Sequence, residues 1–191
     1  MARIEMTITG TTPLLIHKFG DAAQGEATSG ERVSVVGHRG TPREQAEACL
    51  YLTEEGKPMI PQPNIFRCFI DAGKFFKAGR SKVTTQKSSL IPACVDVEGV
   101  SLLIKHKEPW TTDTRPVRIP ATGGRILRHR PRFDDWALTM ALTLDTSLIS
   151  AKLFREIVDA AGSRIGLGDF RPDCKGPFGK FVVTHWKATK S

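Results

Sequence analysis

The sequence predicts an α+β fold, on the strength of two alternating segments and one helical segment. Residues 3 to 9 and residues 136 to 144 alternate between apolar and polar side chains, as half-buried strands do. Residues 147 to 161 place apolar side chains at helical spacing and lead toward a final strand over 181 to 186. With one more helix-like segment mid-chain, the order is strand, helix, strands, strand, helix, strand. That order matches a split β-α-β, ferredoxin-like core.

The first strand should bury Ile4, Met6 and Ile8 on one face of the sheet. Residues 20 to 55 are interpreted as an insertion that forms a mobile loop, because its first half is rich in Gly, Ser, Thr and charged residues. Within this insertion a short helix is predicted to begin at Pro42, since proline suits the first turn of a helix.

A second helix is predicted over residues 65 to 79, with Asn64 as its N-cap, because its apolar residues form one stripe. One or two strands should follow within residues 91 to 105. The next strand should turn every second residue toward the core. The residues expected on that face are Trp136, Leu138, Met140, Leu142 and Leu144.

Charge is distributed unevenly along the chain. The net charge is +8, and residues 115 to 132 hold six arginines without a single Asp or Glu. Residues 64 to 90 hold six further Lys or Arg residues against Asp71 alone. Such local excess is the electrostatic footprint of nucleic-acid binding, whereas a merely solvated face usually mixes Glu with Lys. The bias toward arginine favours phosphate contacts.

A glycine-rich segment separates the last helix from the last strand. Five glycines lie between residues 162 and 179, and Arg164, Arg171, Lys175 and Lys180 are interleaved with them. Backbone of this kind can lie close to a ligand, and exposed amides with cations favour a polyanion. The alternative is a long connection that needs glycine for its turns. The segment is not a nucleotide fingerprint, because it follows a helix and precedes a strand.

Several function classes are disfavoured. The four cysteines, Cys49, Cys68, Cys94 and Cys174, form no C-x-x-C pair, so no metal site and no cofactor is expected. The amino terminus lacks an apolar signal region, and no apolar run is long enough to span a membrane. We therefore expect a cytoplasmic protein with reduced cysteines and no membrane partner. With 40% hydrophobic residues, residues 1 to 191 should form one domain.

Two segments resemble a known family. GKPMIPQPNIFRCFIDAGKF is similar to the G-x-P-x-I-P-x-S-S-L-K-G-x-L-R segment that opens the first helix in the RAMP superfamily (repeat-associated mysterious proteins), the backbone subunits of CRISPR effector complexes. IGLGDFRPDCKGPFGKF resembles the glycine-rich loop before that superfamily's last strand. The matched positions are Gly56, Pro58, Ile60, Pro61, Gly166, Gly168, Gly176 and Gly179.

The resemblance implies a bacterial, archaeal or phage-encoded subunit that polymerises along a guide RNA or another single strand, with RNA favoured. It implies antiviral ribonucleoprotein partners, a helical filament of like subunits, and contacts with the strand's phosphates that are independent of sequence. Residues 106 to 133 fall where the family's basic thumb would project. The predicted contacts are Arg67, Lys74, Lys77, Arg115, Arg118, Arg125, Arg128, Arg130, Arg132, Gly166, Gly168, Arg171, Lys175 and Gly179.

Two alternatives to this binding function stay open. An endoribonuclease of the same fold would use Asp21, which lies where some family members carry a cleaving aspartate, or His17. A phage or plasmid relative could instead bind a strand on its own, or dock as a decoy on a nucleic-acid complex. We predict no enzymatic activity, because no second His or carboxylate has a sequence link to His17.

Overall fold

The computed structural model describes residues 1–18, 40–118 and 123–190. The helices are α1 (Pro42–Glu47), α2 (Gln62–Ala72), α3 (Ile91–Cys94) and α4 (Ala151–Ala160). The longer strands are β1 (Ala2–Gly10), β8 (Thr111–Arg118), β9 (Arg125–Phe133), β10 (Ala137–Leu144) and β11 (Phe181–Lys190). The shorter strands are β2 (Leu14–Leu15), β3 (Met59–Pro61), β4 (Lys77–Ala78), β5 (Ser81–Lys82), β6 (Val95–Val97) and β7 (Ser101–Leu103).

The main sheet has four antiparallel strands in the order β11-β1-β10-β6. The first strand of the chain therefore lies in the middle, between the last strand and β10, and Met6 is paired with both Trp186 and Met140. Along the chain, α2 lies between β1 and β6, and α4 lies between β10 and β11. This is the strand and helix order of a ferredoxin-like core, so the predicted α+β fold is confirmed.

The core lies between this sheet and the two longer helices. Ile4, Met6 and Ile8 are fully buried, as their alternation predicts. Phe69 of α2 meets Phe154 of α4 edge to face, with ring centroids 5.5 Å apart. The five residues predicted to face the core from the strand of residues 136 to 144 are all buried as well: Trp136, Leu138, Met140, Leu142 and Leu144.

The opposite face of the sheet is polar. Thr7 and Thr139 are hydrogen-bonded across the β1–β10 pair at 3.1 Å, and Thr9 is hydrogen-bonded to Thr184 at 2.9 Å. The Lys105 ammonium donates to Thr139 on the same face. The described residues of β1 and β10 place no aromatic side chain there. A stacking surface of the RNA-recognition type is therefore missing from these two central strands.

The arginine-rich segment forms most of a second, three-stranded sheet, in the order β2-β9-β8. Strands β8 and β9 make an antiparallel hairpin, with Arg118 opposite Arg125 near its tip and Thr111 opposite Arg132 near its base. Helix α1 packs on this hairpin and begins with a capping box between Thr41 and Glu44. The first half of the predicted mobile insertion, residues 20 to 39, lies outside the described residues.

Helix α2 differs from its prediction at both ends. Asn64 is not the N-cap: the helix begins at Gln62 after Pro61, because Pro63 fits the first turn, where no N–H is needed. The helix ends at Ala72 rather than continuing to residue 79. A 3₁₀ turn over Gly73–Phe75 follows, so Lys74 lies in that turn and Lys77 in β4.

Glycines let the segment of residues 165 to 181, the glycine loop, pack on its own chain. Gly168 has φ +72°, and a Cβ there would overlap the carbonyl oxygen of Leu15. Gly179 has φ +69°, and a Cβ there would overlap the carbonyl oxygen of Leu167. At these two positions the glycine is required by chain packing, which is the alternative that the sequence left open.

This packing predicts that Gly179→Ala destabilises the fold more than a matched substitution does. Gly56→Ala is the control, since Gly56 has a similar φ of +75° but nothing within 4 Å of the added methyl group. The control should lower the free energy of unfolding by about 1 kcal/mol through its backbone conformation alone. Gly179→Ala should cost at least about 2 kcal/mol more, as measured by urea unfolding. Equal losses in the two variants would contradict the close packing.

Candidate nucleic-acid interface

A cleft of about 240 Å³ lies where α2, the glycine loop and the segment after β2 meet. Its polar lining combines cations, carboxylates and an amide, and its floor is apolar. The lining residues are Ile16, His17, Tyr51, Ile60, Asn64, Arg67, Cys68, Asp71, Ile165, Gly166, Leu167, Gly168, Asp169 and Arg171. Four of the predicted contact residues, Arg67, Gly166, Gly168 and Arg171, are therefore brought together here.

One wall of the cleft is a single face of α2. Asn64, Arg67, Cys68 and Asp71 stand at positions i, i+3, i+4 and i+7 of the helix, so they share that face. The Arg67 guanidinium donates from Nε to both oxygens of Asp71 at 3.0 Å. Burial raises the pKa of the Cys68 thiol, which stays protonated and donates to the carbonyl of Gly166 at 3.3 Å. This bond ties the helix to the glycine loop.

The opposite wall is the glycine loop. Arg171 donates from Nη1 to the carbonyl of Gly168 at 3.1 Å, which holds the guanidinium beside the cleft. The amides of Gly166 and Gly179 already donate to backbone carbonyls, so neither is available to a phosphate. The Gly168 amide has no hydrogen-bond partner in the described part of the chain, and Gly168 lines the cleft.

His17 closes the cleft on the side of the hairpin. Arg128 donates to its Nε2 at 3.1 Å, so this nitrogen must be the acceptor and the ring is neutral, with its proton on Nδ1. Nδ1 then donates to the Cys49 sulfur at 3.4 Å. Burial lowers the pKa of His17, and the positive charge of Arg128 lowers it further.

This arrangement does not resemble an activated catalytic pair. Burial raises the pKa of the Cys49 thiol, so the sulfur is held away from the reactive thiolate form. Both nitrogens of His17 are engaged, which leaves no free base for proton abstraction. Asp21 lies outside the described residues. The absence of enzymatic activity stays a prediction.

The hairpin divides its arginines between two faces, because strand side chains alternate. Arg115, Arg128, Arg130 and Arg132 lie on the face that meets the glycine loop, and Arg118 and Arg125 lie on the other. Arg130 is buried and ion-paired with Asp169 of the loop. Arg115 donates to the buried Asp113 at 2.9 Å, and Arg132 is paired with Asp134. Arg128 is exposed beside His17.

The remaining predicted cations lie outside the cleft. Lys74 is paired with Asp173 at 3.2 Å, and Asp173 is also 3.7 Å from Arg171, so this lysine borders the cleft without lining it. Lys77 is exposed in the short β4–β5 hairpin, and Lys175 is exposed after a 3₁₀ turn. Gly179 is buried within the glycine loop.

Sequence reasoning missed three carboxylates that accompany these cations, Asp71, Asp169 and Asp173. Asp71 could have been found from its i, i+4 spacing to Arg67 on a helix. Asp169 and Asp173 are brought to their partners by tertiary contacts that leave no local pattern.

Two tryptophans are engaged within the protein. Trp136 is buried and donates from Nε1 to the carbonyl of Thr12, and the Arg43 guanidinium lies 3.2 Å from the ring centre of Trp110.

Neither a metal site nor a membrane-spanning helix is found among the described residues. No three His, Cys, Asp or Glu side chains there are grouped as ligation of an ion would require. No helix in the described part of the chain is both long and apolar enough to cross a bilayer.

The sequence matches no protein-family model and no curated protein. Among solved structures it is similar to a chain of the "Cryo-EM structure of the Type III-B Cmr-beta bound to cognate target RNA", with a TM-score of 0.53 and 13% identity. The match covers 99% of this chain and 61% of the other. The two chains share a fold. In fold, this agrees with the RAMP resemblance of the two sequence segments.

The environment of His17 predicts a pH-dependent contribution to stability. Its pKa in the folded protein is below the ordinary value, so the unfolded chain takes up the proton first as the pH falls. The contribution should be complete above about pH 6.5 and should decline as the pH falls toward the lowered pKa. Urea unfolding of wild type and His17→Gln from about pH 7.5 to about pH 5 measures it.

Wild type should lose more stability over this range than His17→Gln does. Arg128→Gln should lose less than wild type, because removing that positive charge and hydrogen bond raises the pKa of His17. Parallel stability curves for wild type and His17→Gln would show that His17 is not held neutral.

Proposed function

We propose that this chain binds single-stranded RNA, without sequence preference, as a subunit of a ribonucleoprotein complex. The observation that supports it most is that three arginines from distant parts of the sequence lie in or beside one cleft. Arg67 comes from α2, Arg171 from the glycine loop and Arg128 from the hairpin, by way of His17. Guanidinium groups arranged in this way favour phosphate oxygens, which they can bind in a bidentate manner.

The size of the cleft supports one segment of a long polymer as the ligand. Its volume of about 240 Å³ is below the roughly 300 to 1,000 Å³ typical of pockets that enclose a whole small molecule. An extended strand needs no such enclosure, because its phosphates are contacted one at a time along a basic surface. The hairpin face with Arg115 and Arg128 would continue that surface beyond the cleft.

The ion pairs of the site are compatible with phosphate binding. Arg67 is 71% exposed and paired within its own helix to Asp71, and an exposed pair of this kind contributes at most about 1 kcal/mol. Asp71 engages Nε, and no described residue is hydrogen-bonded to the terminal nitrogens of Arg67, so a phosphate can bind these while Asp71 keeps its contact. Arg130 is different, since it is buried against Asp169, and we assign it to holding the hairpin on the loop.

The solved neighbour and the RAMP resemblance support the subunit role. The neighbour belongs to a complex bound to its cognate target RNA, and the shared fold supports an equivalent assembly for this chain. One cleft of this size contacts few nucleotides, so firm binding to a strand needs several copies. We propose that copies of the chain assemble side by side along RNA, and that they bind it without cutting it.

The proposal predicts a steep dependence of RNA affinity on salt and a specific loss in Arg67→Ala. An unstructured, fluorescently labelled RNA would be titrated by anisotropy at several salt concentrations. Arg67→Ala should weaken binding about fivefold and reduce the log–log salt slope by about 0.7, the value of one phosphate contact on a single strand. An RNA long enough for several subunits should bind several copies.

Arg155→Ala is the matched control for this titration. Arg155 is paired with Asp159 at i, i+4, as Arg67 is with Asp71, but it lies on α4 outside the cleft. It should keep the affinity and salt slope of wild type. Equal losses in the two variants would indicate a diffuse charge effect, and absence of binding by wild type at low salt would overturn the proposed function.

The two faces of the hairpin provide a second comparison. Arg128→Gln removes an exposed cation on the face toward the cleft, whereas Arg125→Gln removes one on the opposite face. We expect Arg128→Gln to weaken RNA binding about threefold to tenfold. The loss of binding free energy in Arg125→Gln should be less than half of the loss in Arg128→Gln. A larger loss in Arg125→Gln would place the strand on the other face of the hairpin.

A further inference from the structure

Phe170 is an exposed aromatic residue in the glycine loop with an unusual backbone conformation. Its φ is +51°, in the left-handed region, and the residue is 36% exposed. Both of its neighbours in sequence, Asp169 and Arg171, line the cleft. The ring is therefore held at the surface directly beside the candidate RNA site.

The conformation is costly for a residue other than glycine. A non-glycine residue in the left-handed region costs on the order of 1 to 3 kcal/mol. The surrounding loop holds it there: the Phe170 amide donates to Asp169 Oδ1 at 2.9 Å, and its carbonyl accepts from the Phe178 amide at 3.3 Å. Glycine would make the same turn without strain, so the exposed ring itself requires an explanation.

The ring is supported from within the protein. Its centre is 6.0 Å from that of Phe178, which is buried, and the two planes are inclined by 40°. The guanidinium of Arg115 lies 4.8 Å from the centre of the Phe178 ring. Gly176 packs against another edge of the ring, since a Cβ there would lie 2.6 Å from Phe170 Cδ2. Phe170 is thus supported by Phe178 and Gly176, and about a third of the residue stays exposed.

We propose that Phe170 is a stacking platform for one nucleobase of the bound strand. This rests on the proposed function, since the strand must be held by the arginines of the cleft. Arg171 is the next residue in the chain, so one nucleotide could place its phosphate at the guanidinium and its base on the ring. Stacking on a phenyl ring accepts every base, which agrees with binding that has no sequence preference.

The other exposed phenylalanine near the cleft has a different environment. Phe75 is 43% exposed, but its ring already carries two cations, Lys74 at 5.2 Å and Arg164 at 4.8 Å. Among the described residues, no comparable cation contact is made with the Phe170 ring. Phe75→Ala is therefore a control matched in residue type and exposure, with ring faces that are already in use.

The test compares the affinity of Phe170→Ala, Phe170→Trp and Phe75→Ala for a short, unstructured RNA and for a backbone of the same length without bases. Loss of one stacked base should weaken RNA binding by Phe170→Ala about fivefold to 150-fold. Phe170→Trp should bind as wild type does or more tightly, and Phe75→Ala should stay within about twofold of wild type. Wild type and Phe170→Ala should bind the abasic strand equally.

The outcomes separate this proposal from the RNA-binding function. Unchanged RNA affinity in Phe170→Ala, together with a loss in Arg67→Ala, would overturn the platform and leave the function standing. An equal loss on the abasic strand, or the same loss in Phe75→Ala, would also overturn it. Wild type that binds no RNA would overturn both. If Phe170→Ala fails to fold, quenching of the added tryptophan in Phe170→Trp on RNA binding reads out stacking directly, and its absence counts against the platform.

Discussion

The site depends on the way the glycine loop packs against the main chain of residues 13 to 15. The Gly179 amide donates to the carbonyl of Pro13 at 2.8 Å, and the Asp169 amide donates to the carbonyl of Leu15 at 2.7 Å. Contact this close between two backbones is possible because Gly168 has no side chain. Since Leu14 and Leu15 are also paired with the hairpin strand β9, the loop and the hairpin are fixed to the same short segment.

A buried ion pair provides the second link between these parts. Arg130 is 7% exposed and lies against Asp169, so the hairpin and the loop each contribute one charge. Removing water from a guanidinium is costly, and loss of Asp169 would leave the buried charge of Arg130 without this partner. Sequence composition groups Arg130 with the phosphate contacts. In the structure Arg130 instead fixes the position of the hairpin, and with it the other hairpin arginines. By fixing the hairpin, it determines that Arg128 reaches His17.

The local periodicity of the sequence was sufficient to predict the core and the fold class. Alternation in residues 3 to 9 and 136 to 144 correctly predicted which side chains are buried, because a sheet covered on one face imposes it. The cleft was not predictable in the same way. The partition of the arginines depends on the register of β8 against β9, and the partners of Lys74 and Arg130 come from a loop about a hundred and about forty residues away, respectively. The N-cap was misplaced because proline within a first turn outweighs the preference of Asn64.

The carboxylates beside the cleft bear on how an arginine site could bind a strand and still release it. Free arginines would have to lose side-chain rotamer entropy on binding, whereas Arg67 and Arg171 are already held, by Asp71 and by the carbonyl of Gly168. The same acids lower the local positive charge, which weakens attraction to a strand at a distance. In the proposed RNA complex the acids therefore lower the affinity of each subunit and fix the geometry of its arginines. Lower affinity of each subunit is tolerated when many copies bind one strand, because each copy then needs to bind only weakly.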